Sequence, residues 1–229
     1  GVRWRLFSER PVVTHPTFAF DSQNVPFWSE AEGCYLFYYR TFVKAPGAEK
    51  AQVRWISRRT SDDFLHWSDP VEMDAGAAPI EHFYTNQTFP YFRAPHLYIS
   101  LGARFWPGRR ALSEGDAQGL DAPPKYLNDV SDGVLMTSRG GNRYDRTFLE
   151  SFLRPGPGPR NWVSRTNYPA IGVWPTAPGE MSLYATREYT QPTNHTRRYT
   201  LRTDGFASLS AGYDGGEMLS HPLRFAGAR

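Results

Sequence analysis

The chain has 229 residues, 40% of them hydrophobic and 15% aromatic, with 26 basic and 23 acidic side chains and a net charge of +3. That length suits one large domain or two small ones, and a small charge excess without a Lys/Arg block argues against nucleic acid as a partner. No apolar run reaches the roughly 18 residues of a membrane helix, and the lone Cys34 excludes an internal disulfide or a cysteine metal site.

Abundant Gly and Pro among aromatics predict short strands joined by turns, an all-β chain. Val2 to Phe7 reads as one outer strand, ended by Glu9-Arg10-Pro11. A first unit opens at Phe18-Ala19-Phe20-Asp21-Ser22-Gln23-Asn24, with Val25 to Trp28 as its innermost strand and Ser29 to Gly33 as a hairpin turn. Cys34 to Val43 is a long aromatic strand in which Cys34 reads as a buried, inert thiol rather than a reactive one. Ala45-Pro46-Gly47 breaks it, and Val53 to Thr60 alternates in the period-2 manner of a half-buried strand. A polar turn follows, and His66 to Met73 closes the unit.

A second unit begins near Ile80 to Asn86 and continues in His96 to Leu101. Residues 106–128 carry no period and read as a long surface loop. Asp132 to Thr137 is the third strand and Arg146 to Leu153 the fourth, with a short helix as the alternative for Thr147 to Leu153. The third unit holds Tyr168 to Trp174, a turn at Pro175 to Gly179, Glu180 to Thr186, and Thr196 to Arg202. After Phe206 the chain turns small and polar.

The turn Thr60-Ser61-Asp62-Asp63-Phe64-Leu65-His66-Trp67 is echoed by Gly1-Val2-Arg3-Trp4, by Thr137 to Tyr144 and by Arg202 to Phe206. Trp4 and Trp67 lie 63 positions apart, Thr60 and Thr137 77, and Thr137 and Thr203 66. A unit recurring at such intervals points to an array of sheets, with propeller blades as the candidate. The count is about three four-stranded blades plus one extra strand, whereas a closed propeller needs at least about four blades. The chain therefore reads as an incomplete propeller over residues 1–206, with 207–229 a linker or the start of a C-terminal β-sandwich that is missing.

The Phe20 to Asn24 opener, Thr60 to Trp67, Tyr84-Thr85-Asn86-Gln87-Thr88 with Phe92-Arg93-Ala94-Pro95-His96, and Arg197 to Phe206 resemble the five-bladed propellers of bacterial glycoside hydrolases. The nearest group is the family 32 N-terminal-like relatives of families 32 and 43. The resemblance implies hydrolysis of a glycosidic bond in a polysaccharide or oligosaccharide, by acids on the innermost strands at a central funnel. Such hydrolysis usually needs two carboxyl groups, one protonated and one ionised.

The matching positions are Asp21, as base or transition-state stabiliser, and Glu81, whose setting beside His82 and aromatics would suit a general acid. The alternative is that Asp21 caps a turn and Glu81 is a solvated loop residue. Asp132, more in keeping with turn chemistry at Asp132-Gly133, and Glu188 are reserve candidates, while Glu150 reads as a surface ion-pair partner. Arg93, Arg187, His82, Trp28, Tyr84, Tyr91 and Trp174 are candidates for a sugar subsite, since aromatic faces stack on sugar rings and Arg offers forked donors. Packing between sheets is the competing role for each aromatic. His82, His96 and His195 lack metal-ligand spacing, so no cofactor is expected, and a structural calcium is left open. The expected partner is a carbohydrate, with neither nucleic acid nor membrane. Two further functions compete: a non-catalytic carbohydrate-binding propeller, and a structural fragment whose exposed sheet edges self-associate. A sialidase-like box is only loosely echoed by Ser61 to Trp67. The start at Gly1 is compatible with a removed leader and so with a periplasmic or secreted protein.

Overall fold

The computed structural model describes residues 2–16, 19–44, 52–220 and 222. Phe18, the break at Ala45-Pro46-Gly47, and most of the tail beyond Ser220 lie outside the described residues. The described chain forms three antiparallel sheets, in sequence order, and no closed barrel.

Sheet 1 contains β1 (Val25–Ser29), β2 (Cys34–Lys44), β3 (Gln52–Ser61) and β4 (Val71–Glu72), paired in that order. Gly33, at φ +66°, closes the β1–β2 hairpin by donating its N–H to the Ser29 carbonyl at 2.8 Å. The Tyr, Phe, Thr and Val run of β2 favours a pleated strand and pairs with β3 from Tyr35 to Lys44. The polar turn after β3 is built on Asp63, whose Oδ1 accepts the Leu65 and His66 backbone N–H groups at 2.8 and 2.7 Å. The His66 backbone and ring donors hold this carboxyl well below the usual carboxylate range. The closing strand expected over His66 to Met73 contracts to two residues, because Pro70 has no N–H to give to a ladder.

Sheet 2 contains β5 (His82–Thr85), β6 (Thr88–Tyr91), β7 (Ala94–Pro107) and β8 (Asp129–Ser138). β7 is much longer than its expected core at His96 to Leu101. β8 runs along one edge of it, and β5 and β6 share the other. The strand or helix expected at Arg146 to Leu153 is neither. Isolated bridges Thr137–Asp145 and Gly133–Leu153 tether this segment, while Arg146 and Ser151 turn inward to carboxylates instead of extending a ladder. Residues 106–128 are also not a structureless loop. They hold α1 (Glu114–Gly119), where Ser113 and Asp116 cap each other reciprocally, and most of a small core of Ala117, Ala122, Leu127 and Val163.

Sheet 3 contains β9 (Trp174–Ala177), β10 (Glu180–Arg187) and β11 (His195–Arg202), with β10 central. Val2 to Phe7 forms no strand: among the described residues none lies alongside to take up its backbone groups, and Val2, Trp4, Leu6 and Phe7 are exposed. Residues 207–220 are exposed too and carry one bridge, Gly212–Gly215.

The sheets pack face to face because side chains alternate along sheet 2. Tyr98, Val134 and Met136 point to sheet 1 and join Leu36, Tyr38, Trp55 and Ile56. Leu101 and Leu135 point the other way and join Met181, Leu183 and Ala185 of sheet 3. Gly133 sits where the second interface is tightest: a Cβ there would lie 2.9 Å from Leu153 Cβ and 3.2 Å from Pro169 Cγ. Gly133→Ala is expected to destabilise the fold by about 1–3 kcal/mol through overpacking, read as a lower urea midpoint with unchanged slope.

Candidate functional site

The first strands of sheets 2 and 3 are interrupted, and the interruptions meet the start of β1 in sheet 1. In sheet 2, β5 pairs with Ala103 to Phe105 and β6 with Ala94 to Ser100, leaving Asn86-Gln87 as the break. In sheet 3, residues 167–170 bond the C-terminal half of β10, with Asn167 N–H to Thr186 O at 2.7 Å and Ala170 N–H to Tyr184 O at 2.8 Å, and β9 bonds its N-terminal half. In sheet 1, β1 begins at Val25 opposite Tyr38, and Asp21 is ion-paired with Arg40 two positions further along β2. Gln87 ties the three together. It is 1% exposed, and its amide nitrogen donates to Gln23 Oε1 and, at 2.6 Å, to the Pro169 carbonyl.

At this meeting point lies a cavity of about 400 Å³ lined by Asp21, Ser22, Gln23, Tyr84, Thr85, Arg165, Tyr168, Thr186 and Tyr189. Three guanidinium groups surround the Tyr84 ring: Arg40 at 4.9 Å, Arg54 at 5.5 Å and Arg165 at 5.5 Å from its centroid. Buried side-chain polar atoms that lack a hydrogen-bond partner gather here, among them Ser22 Oγ, Thr85 Oγ1, Asp129 Oδ1 and the Nε atoms of Arg40, Arg54 and Arg165. Such groups are costly to leave unmade in a fold, and each calls for a partner such as water, an ion or a ligand. Burial pushes the Asp129 carboxyl up, against the pull of Ser164 and Arg165, and pushes the Tyr168 phenol well up. The backbone is strained at the same place, with Gln87, Arg165, Asn167 and Glu188 all at φ between +53° and +70°.

Of the residues expected from sequence, Asp21 and Tyr84 line this cavity. Glu188 belongs to the segment between two lining residues, Thr186 and Tyr189, but does not itself line the cavity. Glu81 and Asp132 come together elsewhere, in a buried ion network. Arg104 forks onto Asp132 at 2.9 and 2.7 Å and onto Glu81 at 3.1 Å, and Arg146 donates to Glu81 at 2.6 Å. Arg187 is buried against the Pro155 and Arg154 carbonyls and Asn167. Arg93 pairs with Asp204, which also accepts the Tyr91 hydroxyl at 2.6 Å. Trp28 packs edge-on against Tyr35, and Trp174 lies against Phe89 with its Nε1 donating to the Ile171 carbonyl. His82 stands behind the cavity, its Nδ1 accepting the Arg54 backbone N–H at 3.2 Å.

Arg40, Arg54, Asp129, Arg165, Tyr168 and Tyr189 are site residues that the sequence alone did not single out. The signal for Arg40 and Arg54 was a charged residue inside an otherwise aromatic or alternating strand, a position that demands a partner. Arg165 and Tyr168 lie in a segment without any period. Among the described residues no group of three or more His, Cys, Asp or Glu side chains could hold a metal ion, and no helix is long and apolar enough to cross a membrane.

No protein-family model and no curated protein matches the sequence. Among solved structures the chain is similar to one described as a glycoside hydrolase, with TM-score 0.50 and 11% identity over 78% of this chain and 45% of that one. It is also similar to BT0996 in its RGII complex, with TM-score 0.49 and 11% identity over 82% and 47% of the two proteins. An N-acetylgalactosamine deacetylase from F. plautii, in complex with blood group B trisaccharide, gives TM-score 0.47 and 13% identity over 77% and 43%. The chain thus spans less than half the length of each of these proteins.

Two outcomes follow from this geometry. Asp132→Asn removes one partner of a buried ion pair and is expected to cost about 3–5 kcal/mol of stability in chemical denaturation. Burial first and Arg54 second lower the His82 pKa below its ordinary 6.5. The unfolded chain therefore takes up this proton before the folded one does, and stability present above about pH 6.5 declines on acidification. Thermal melts between pH 7.5 and 5 are expected to show that slope, and His82→Asn, which keeps an acceptor for Arg54, is expected to flatten it.

Proposed function

We propose that this chain carries the carbohydrate site of a glycoside-hydrolase-type protein, that the three sheets are blades of a five-bladed-type propeller, and that the cavity where their first strands meet holds the sugar. The observation that carries this reading is the cavity itself: a tyrosine-walled basin into which Asp21 faces and around which buried donors lack partners. Tyrosine rings suit the apolar faces of sugars, and the spare donors suit hydroxyl groups. The fold likeness to a glycoside hydrolase supports the same direction.

In this reading Asp21, held by Arg40, acts as base or transition-state stabiliser of glycosidic bond hydrolysis. Glu81 supports the scaffold, since guanidinium groups occupy both of its oxygens. A second reading, carbohydrate binding without hydrolysis, is favoured by one observation: Asp21 is the sole carboxylate lining the cavity among the described residues.

The test is turnover of a panel of aryl glycosides and oligosaccharides. Asp21→Asn is expected to lower kcat by about 10²–10⁴-fold with the fold intact. Glu81→Gln is expected to lower stability while leaving the kcat of the folded fraction near the parent value. Sugar binding by the parent chain without turnover would select the second reading, and no binding of any sugar would remove both.

A further inference from the structure

We infer that the sugar bound in this cavity is acidic, carrying a carboxylate or sulfate that the Arg165 guanidinium receives, with Arg40 and Arg54 adding positive charge behind it; this rests on the carbohydrate reading above. Arg40, Arg54 and Arg165 crowd one tyrosine ring, 4.9, 5.5 and 5.5 Å from its centroid. Like charges gathered at a partly buried place repel unless something offsets them. Asp21 answers Arg40 directly. Neither Arg54 nor Arg165 makes an ion pair with a carboxylate among the described residues.

The remaining anion nearby is Asp129, whose field reaches both arginines but whose Oδ1 meets no donor. Three arginines against Asp21 and Asp129 leave the cluster around Tyr84 with positive charge in excess.

Geometry adds to charge. Arg165 lines the cavity from a backbone at φ +60°, a conformation that is unfavourable for a residue with a side chain. It is pinned there by its N–H donating to Ser131 Oγ at 3.1 Å. The Nε atoms of Arg165 and Arg54 are both buried without partners. A planar anion in the cavity gives the Arg165 fork two acceptors at once, which a neutral hydroxyl does not. Tyr168, 5.2 Å from Tyr84 between ring centroids, supplies an aromatic face beside that fork for the ring bearing the acid.

The experiment is calorimetric titration of the full chain with uronic acid oligosaccharides of several ring types, their neutral methyl esters, and sulfated and unsulfated neutral oligosaccharides. An acidic member is expected to bind at least about tenfold more tightly than its neutral counterpart, with the advantage shrinking as salt rises. Arg165→Gln is expected to bring the acid-to-neutral ratio close to one. Arg109→Gln, which removes the same charge from an exposed position, is expected to keep it. Whether uronates or sulfated sugars show the larger ratio identifies the source of the anion. Equal affinity for acid and neutral partners, or a ratio unmoved by Arg165→Gln, would overturn this inference and leave the carbohydrate reading standing. Failure of every sugar to bind would overturn both.

Discussion

The structure depends on one buried amide. Gln87 sits at the break between β5 and β6, and its nitrogen bonds one acceptor on the approach to sheet 1 and one on the approach to β9 in sheet 3. A side-chain amide removed from water is expensive unless its donors are used. Here the two acceptors lie on the approaches to neighbouring sheets, so the donors are satisfied only when all three sheets stand in one arrangement, while the Gln87 Oε1 is buried without a partner. Hydrophobic contacts alone would tolerate sliding between sheets, since Leu, Met and Tyr pack in many registers. The Gln87 contacts do not, and they hold the ends of three strands around one cavity.

Two groups of arginines show how the same chemistry can serve different ends. Around Arg104 and Arg146 the charges are paired, although Arg146 Nε is buried without a partner: Glu81 supplies oxygens to both guanidinium groups and Asp132 to that of Arg104, Ser151 adds a donor to Asp132, and the Leu149 and Pro79 carbonyls take further donors. That network fastens residues 79–81 and 146–151 to β7 and β8. Around Tyr84 the charges are left partly unanswered, and the neighbouring backbone is strained. A fold retains unpaired donors and unfavourable dihedrals where binding can repay them. The first group is paired by two carboxylates, whereas three guanidinium groups crowd the Tyr84 ring with one ion pair, Arg40 to Asp21, among the described residues.

Much of the chain was legible before any tertiary contact was known. β1, β2, β3, β8, β10 and β11 fall within one to three residues of their expected limits, because period-2 alternation and aromatic or β-branched content are local properties. The Asp63 turn and the Gly33 hairpin followed from turn chemistry in the same way. α1 was missed although Ser113 and Asp116 spell a reciprocal cap, because a six-residue helix has too few turns to show a period. The split of sheet 2 into β5 and β6 was missed because both halves pair with one long strand, and pairing partners are not written in a local pattern.

Asp21, placed by the family resemblance, and Tyr84, chosen as an aromatic for sugar stacking, both line the cavity. Glu81 looked equivalent to Asp21 in sequence, yet it turns toward Arg104 and Arg146. The amino-acid sequence determined the all-β class, the strands and the turns, because these rest on interactions between residues a few positions apart. Tertiary structure alone decided which charges meet. Arg40 and Arg54 come from sheet 1, Tyr84 from sheet 2 and Arg165 from the approach to sheet 3, and only the stacking of the sheets brings residues so distant in the chain around one ring.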